Sequence, residues 1–94
     1  MIELEWDEDK RRANWKKHGL DFDDLLAFRW EAAQVTLDDR FAYREDRMIA
    51  AGMYRGDVHV VVYTDRSFVR RIISFRKATR HEAQTYYEER KDRS

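Results

Sequence analysis

Cationic and polar side chains recur along a predicted strand near the end of this 94-residue chain. Alternate residues of a regular strand share a face, which places four residues together: Arg70, Ile72, Ser74 and Arg76. Guanidinium groups bind phosphates and a hydroxyl adds a hydrogen bond, so this face suits single-stranded RNA. The opposite set, which includes Arg71 and Phe75, is more apolar and is predicted to face the core. The alternative is a solvated sheet face, because charge on an exposed strand is common.

The preceding predicted strand adds aromatic groups to the same open face. Its less aliphatic set consists of His59, Val61 and Tyr63. Rings of this kind stack on nucleic-acid bases. We therefore expect the two strands to form one surface of cations and rings.

A second polar stripe lies on the first predicted helix. Spacings of three, four and eight residues put four side chains on one side: Lys10, Asn14, Lys17 and His18. Histidine titrates near neutral pH, so His18 could contact a phosphate or transfer a proton. The alternative is a solvated helix face in which His18 caps the helix end.

Other catalytic chemistries find little support in the sequence. The chain has no cysteine and no HExxH motif, and its three histidines are far apart. Asp21, Asp23 and Asp24 stand where the start of a helix favours acidic residues, so helix capping explains them. Ser74 has no glycine-flanked turn of the kind that a nucleophilic serine needs. We expect neither a metal site nor a cofactor.

The elements that must position these residues follow from periodicity and capping. Asp7 is predicted to cap the first helix, which runs to His18 and is stopped by Gly19. Thr79 and Glu82 have the spacing of a capping box at the start of the last helix. Six further elements complete the prediction: a strand over Ile2–Trp6, a second helix ending near Trp30, and strands over 33–38, 47–54, 58–64 and 68–75.

The predicted order is therefore β-α-α-β-β-β-β-α in a single domain over residues 1–94. This is an α+β fold, an antiparallel sheet with helices packed on one face and the other face partly open.

Composition narrows the function classes further. Thirteen aromatic residues argue against disorder, and the net charge of zero does not indicate general attraction to nucleic acid. A local basic segment nevertheless runs from Arg66 to Arg80 without an acidic residue. No apolar run is long enough to span a membrane, and the acidic opening does not resemble a signal peptide. We expect a cytoplasmic protein without a membrane partner.

Three separate motifs together resemble the BrnT (DUF497) toxin family. The first is Glu5-Trp6-Asp7 with the Lys10, Asn14 and Lys17-His18-Gly19 positions and Phe22 that follow. The second is a central E-x-R-x4-G strand over Glu45 to Gly52. The third is the stretch from Arg71 to Thr79, which is similar to the family's R-I-I-S-A-R-x-A-T signature. The resemblance covers about residues 3–87, in the family's order and spacing.

This resemblance implies a RelE-like, metal-independent ribonuclease that is neutralised by a BrnA-like, DNA-binding antitoxin, with a toxin dimer inside the complex. It implies that the polar face of the last strand and the polar stripe on the first helix together form the active site. Arg47, Arg71 and Arg76 are the expected phosphate stabilisers, and Lys17 or His18 is the expected proton-transfer group. The remaining expected RNA contacts are Lys10, Asn14, Arg70, Ser74 and Lys77.

Two points stay open at this stage. Phe75 replaces the family's small alanine, which is only a packing change if the residue faces the core, and which narrows the site or adds a stacking ring if it faces the cleft. Arg71 lies on the helix side by strand alternation, yet the motif makes it a site residue. A bulge or a strong twist near Ser74 would reconcile the two, and the alternative is that Arg71 pairs structurally with an acidic residue. The alternative function is a non-catalytic RNA-binding or protein-binding module, whose arginines grip an acidic antitoxin segment.

Overall fold

A computed structural model describes residues 2–40 and 44–92, which form an α+β fold. The elements are β1 Glu3–Trp6, α1 Glu8–His18, two 3₁₀ segments at Phe22–Ala27 and Trp30–Ala32, β2 Gln34–Asp38, β3 Arg47–Tyr54, β4 Asp57–Arg66, β5 Val69–Lys77 and α2 Arg80–Asp92. The sheet order is β1-β5-β4-β3-β2. Strands β2 to β5 form the predicted antiparallel meander, and β1 joins its edge in parallel to β5. The α+β class is confirmed, in a sheet that is mixed rather than wholly antiparallel.

The predicted helix boundaries are confirmed by the capping geometry. The Asp7 carboxylate accepts the backbone N–H of Asp9 at 2.8 Å, and Gly19 ends α1 with a left-handed φ of 67°. At α2, the backbone N–H of Thr79 donates to Glu82 Oε1 at 2.8 Å, and the N–H of Glu82 donates to Thr79 Oγ1 at 3.2 Å. These reciprocal bonds are a capping box, which fixes where the chain leaves β5 and enters α2.

The second predicted helix is wrong in type, because the segment forms two short 3₁₀ turns. Phe22, Leu25 and Phe28 are buried at intervals of three residues, whereas Leu26 is 86% exposed. A three-residue repeat suits the 3₁₀ geometry, in which side chains at i and i+3 eclipse. This segment therefore covers the sheet with one apolar edge.

A bulge in β5 decides which side chains enter the core. Val62 pairs with Ser74 and Tyr63 pairs with Ile72, so Ile73 is an extra residue without a partner on β4. Ile72 and Phe75 consequently both face the buried cluster, at 1% and 0% exposure. Simple alternation fails across the inserted residue, so the predicted faces were wrong for residues 70–73, whereas Ser74 and Arg76 lie on the open face and Phe75 lies in the core as predicted. The structure has the bulge that reconciles the strand position of Arg71 with its expected place in the site.

The aromatic set of β4 was also assigned to the wrong face. Val61 and Tyr63 are buried with the 3₁₀ segments, and His59 is buried against Tyr54 and Phe75. These rings are therefore core residues and are not available to stack on bases. Large apolar side chains on a central strand gain more from burial than from exposure.

Helix α2 covers part of the opposite face, so the prediction that all helices pack on one face was wrong. Tyr86 is 1% exposed, and its backbone oxygen accepts a hydrogen bond from Gln34 Nε2 at 2.9 Å. Gln34 is paired with Ala51, on the face that carries Val60. The face stays open only beyond α2, toward the start of β3. None of the helices in the described ranges is long and apolar enough to cross a membrane.

Candidate functional site

A cavity of about 270 Å³ lies on the sheet face opposite the main core, beyond the end of α2. Among the residues that the structure describes, its lining consists of five cationic side chains, one carboxylate, one hydroxyl and one aliphatic side chain. The residues are Lys10, Arg44, Glu45, Arg47, Thr64, Arg66, Arg71 and Ile73. A cavity with this lining attracts anions, and phosphate groups above all.

Strand register brings three of these side chains into adjacent rows. Thr64 of β4 pairs with Arg71 of β5, and Tyr63, directly before Thr64, pairs with Met48, the residue directly after Arg47. Arg71 faces the cavity because the bulge at Ile73 leaves it on the side opposite Ile72. Lys10 reaches the cavity from the first turn of α1. The sheet and the helix therefore present cations to the same space.

Glu45 sits among these cations and is held by β4. Its Oε2 atom accepts a hydrogen bond from Arg66 Nε at 2.8 Å, and Arg66 Nη2 donates to the other oxygen. Thr64 Oγ1 donates to the Asp46 carbonyl at 2.8 Å and approaches Glu45 at 3.4 Å. The hydrogen bond from Arg66 lowers the pKa of Glu45, and the charge of Arg71 adds to this effect. Glu45 is therefore ionised at neutral pH.

Arg71 has a partner at the rim of the cavity. Its Nη1 atom lies 3.2 Å from Glu5 Oε1, and both side chains are more than one-third exposed. Such an exposed pair contributes little to stability and is readily exchanged for another anion. The arginine therefore remains available to a phosphate.

A second charged region lies further along β5, where Arg76 meets Glu82 of α2 and lies near His18 at the end of α1. Arg76 donates two hydrogen bonds to the Glu82 carboxylate, at 2.7 and 2.8 Å, which ties β5 to the start of α2. This ion pair lowers the pKa of Glu82 to about 2. Partial burial and the positive charges of Lys17 and Arg76 lower the pKa of His18. His18 is therefore mainly neutral at neutral pH.

The structure brings Lys10, Arg47 and Arg71 together in the cavity, and it separates the other predicted site residues from them. Lys17 is exposed on α1, and neither it nor His18 lines the cavity. Ser74 is half-buried on the cavity face of β5 but also lies outside the lining.

Asn14 is a structural residue, which corrects its expected RNA contact. It is 6% exposed, and its side chain donates to the backbone oxygens of Phe75 at 2.8 Å and Leu20 at 3.0 Å. Its Oδ1 atom accepts the N–H of Phe75 at 3.0 Å. The side-chain amide of Asn14 therefore makes its hydrogen bonds to the protein backbone.

Arg70 and Lys77 lie on the helix side of the sheet and outside the cavity lining, so their expected RNA contacts stay predictions. The Arg70 guanidinium lies 4.8 Å from the Trp30 ring and 4.2 Å from the Tyr63 ring. It also donates to Asp65 at 2.8 and 3.0 Å. Lys77 stands opposite His59, with Asp57 at 3.6 Å. The bulge reverses the predicted face of Arg70.

Sequence reasoning missed four residues of the cavity: Arg44, Glu45, Thr64 and Arg66. Glu45 belongs to a motif that was noticed, but no role was given to it. Arg66 was placed in a turn, whereas β4 extends to that residue. The signal that could have found it is the long β-branched run before it, which indicates a strand longer than the predicted seven residues.

Comparison with known proteins gives one family. Residues 6–82 match the model described as "Ribonuclease toxin, BrnT, of type II toxin-antitoxin system". A search of curated proteins found no match. The matched range contains the last residue of β1, all of α1, strands β2 to β5 and the first three residues of α2.

Proposed function

Because this chain belongs to the BrnT family of ribonuclease toxins of type II toxin–antitoxin systems, we propose that its cationic cavity binds and cleaves cellular RNA. The observation that carries the proposal is the convergence of Lys10, Arg47 and Arg71 from three elements on one space. The family implies an antitoxin partner and an RNA target, and the cavity is the described surface that best fits a phosphodiester.

Cleavage of RNA without a metal ion needs cations near the phosphate. When the ribose 2′-hydroxyl attacks the adjacent phosphorus, negative charge grows on the non-bridging oxygens. Arg47 and Arg71 can donate hydrogen bonds to those oxygens, and Lys10 adds a third positive charge. The cavity therefore supplies by side chains the charge stabilisation that a metal ion supplies elsewhere.

The second charged region extends this surface along the bound strand. Arg76 binds a neighbouring phosphate only by giving up hydrogen bonds to Glu82, so its main contribution is to hold α2. His18 and Lys17 stay predictions for proton transfer at that end.

The antitoxin is proposed to be BrnA-like and to bind DNA, and it neutralises the toxin by covering the cavity with acidic side chains. A toxin dimer within that complex and a cytoplasmic location belong to the same proposal. Size-exclusion chromatography of the co-expressed pair checks the complex, and two separate peaks at micromolar concentration would contradict it.

Incubation of the purified chain with a labelled single-stranded RNA that contains every dinucleotide step tests the function. We expect cleavage that persists in EDTA and that falls about 10²- to 10³-fold in Arg71→Ala, since one stabilising donor is lost. Arg12→Ala is the matched control, because this α1 arginine is 75% exposed and lies outside the cavity lining. RNA that is bound but never cut would instead support the non-catalytic module.

A further inference from the structure

Glu45 is the one acidic side chain among the described residues that line the cavity. The proposed reaction needs a group that removes the proton of the ribose 2′-hydroxyl as the oxygen attacks. We propose that the Glu45 carboxylate is this general base. The inference rests on the ribonuclease function proposed above, and it gives a role to a residue that the sequence analysis left without one.

The carboxylate is oriented before substrate arrives. Arg66 grips both oxygens from β4, with Nε at 2.8 Å from Oε2. Thr64 anchors the backbone next to it through the Asp46 carbonyl, at 2.8 Å. A base held in this way needs little reorganisation, because its position is fixed by a strand of the sheet and not by its own loop alone.

The hydrogen bond from Arg66 and the charge of Arg71 keep Glu45 ionised, and by lowering its pKa they also make it a weaker base. Cations line the cavity from every element that meets it: Lys10 of α1, Arg44 before β3, Arg47 of β3, Arg66 of β4 and Arg71 of β5. The Arg66 side chain is 56% exposed, so it can turn toward a bound phosphate. If one of its two hydrogen bonds passes to that phosphate, the freed oxygen of Glu45 becomes more basic, while the remaining bond holds the carboxylate in place.

No other described group in the cavity can take this role. The other ionisable side chains in the described lining belong to lysine and arginine, whose proposed role is to stabilise the charge on the phosphate. Glu5 contacts Arg71 at the rim but does not line the cavity. His18 and Lys17 lie outside the lining as well.

The step balances without a co-reactant other than water. The O2′–H bond breaks and its proton goes to Glu45 Oε, while O2′ forms a bond to phosphorus. The P–O5′ bond breaks, and the departing oxygen takes a proton from solvent. Glu45 then returns its proton to solvent, which leaves a 2′,3′-cyclic phosphate, a 5′-hydroxyl and the unchanged protein.

The test compares Glu45→Gln with wild type in single-turnover cleavage of the labelled RNA across pH 5 to 8. Glutamine keeps an oxygen for Arg66 but cannot accept a proton. We expect a rate loss of about 10²- to 10⁴-fold at neutral pH, and a rate that rises roughly tenfold per pH unit because hydroxide must replace the base. The wild-type rate should show no such rise, since its carboxylate is ionised throughout this range. Binding of an uncleavable 2′-O-methyl RNA should be unchanged or tighter, because a negative charge has been removed.

Two further variants keep the outcome decisive. Glu5→Gln also removes a carboxylate beside Arg71, and it should retain the wild-type pH profile. Glu45→Ala should regain cleavage in formate, a small base that fits the vacated space, which a purely structural role would not allow. If wild type cleaves and Glu45→Gln keeps its rate and pH profile, the Glu45 inference fails while the ribonuclease function stands. If wild type does not cleave, both fail.

Discussion

The side chain of Asn14 takes the place of a missing strand, and its removal gives the sharpest stability prediction. β1 runs parallel to β5 only as far as the pair Trp6–Ile72, where the chain turns into α1. Beyond that point, Asn14 supplies the hydrogen bonds that a neighbouring strand would have given to Phe75. Asn14→Ala removes these bonds without adding bulk or charge.

The size of the effect follows from the three bonds that are lost, at 2.8, 3.0 and 3.0 Å. A buried hydrogen bond contributes about 0.5–1.5 kcal/mol, and a partner left unsatisfied costs more. We therefore expect the free energy of unfolding to fall by about 3 kcal/mol, a large part of the 5–15 kcal/mol typical of a domain. Urea unfolding followed by circular dichroism measures this as a lower midpoint with an unchanged slope.

Two companion variants make the Asn14 measurement interpretable. Arg12→Ala, on the exposed side of the same helix, should change stability by less than about 0.5 kcal/mol. Asn14→Asp should be worse than alanine at neutral pH, because its carboxylate would face the oxygens of Leu20 and Phe75. Burial there raises the pKa of the new carboxyl, so stability should recover as the pH falls. An Asn14→Ala protein that melts like wild type but binds RNA poorly would refute this reasoning and restore the RNA-contact hypothesis.

Two further predictions concern packing and pH. A Cβ on Gly52 would lie 2.7 Å from Phe28 Cζ, inside the core. Gly52→Ala should therefore lower the free energy of unfolding by about 1–3 kcal/mol, measured by urea unfolding. An unfolding midpoint equal to that of wild type would contradict this and show that the Phe28 ring moves freely. Arg76 lowers the pKa of Glu82 to about 2, so the stability from this pair is present above the ordinary glutamate range and is lost as the pH falls toward 2. The stability difference between wild type and Glu82→Gln should therefore shrink in acid, and a pH-independent difference would contradict the ion-pair explanation.

The parts of the fold that the sequence predicts well are those decided within a few residues. The caps at Asp7, Gly19 and Thr79, and the four-strand meander, depend on local hydrogen bonds and on turns between adjacent strands. The predicted faces of residues 70–73 in β5 were wrong because one unpaired residue, Ile73, shifts the alternation, and a bulge has no obligatory residue type. The position of α2 depends on contacts with distant strands, such as Gln34 with Tyr86. Periodicity within the helix does not specify which sheet face receives it.

In the candidate site, too, some residues were identified from the sequence and others could be assigned only from the structure. Arg47 and Arg71 were found through the family motifs, and the structure brings them together with Lys10. Asn14 and Arg70 have the same donors whether they bind a phosphate or the protein itself, so residue type alone could not assign them. Glu45 was overlooked because the search was for cations that hold a phosphate, and an acid matters only once the cations around it are known.

The bulge and Asn14 together explain why the core and the candidate site are built by one segment. Arg71 and Arg76 are five residues apart, so in a regular strand they would lie on opposite faces; the extra Ile73 places both on the open face and turns Phe75 inward. Asn14 then fastens α1 to the backbone of Phe75, two residues after the bulge. Lys10 lies one helical turn before Asn14 and is thereby held beside Arg71 at the cavity. Asn14 therefore anchors the helix that carries Lys10. Within the polar stripe on α1, Asn14 is a buried structural residue and Lys10 lines the proposed RNA-binding cavity.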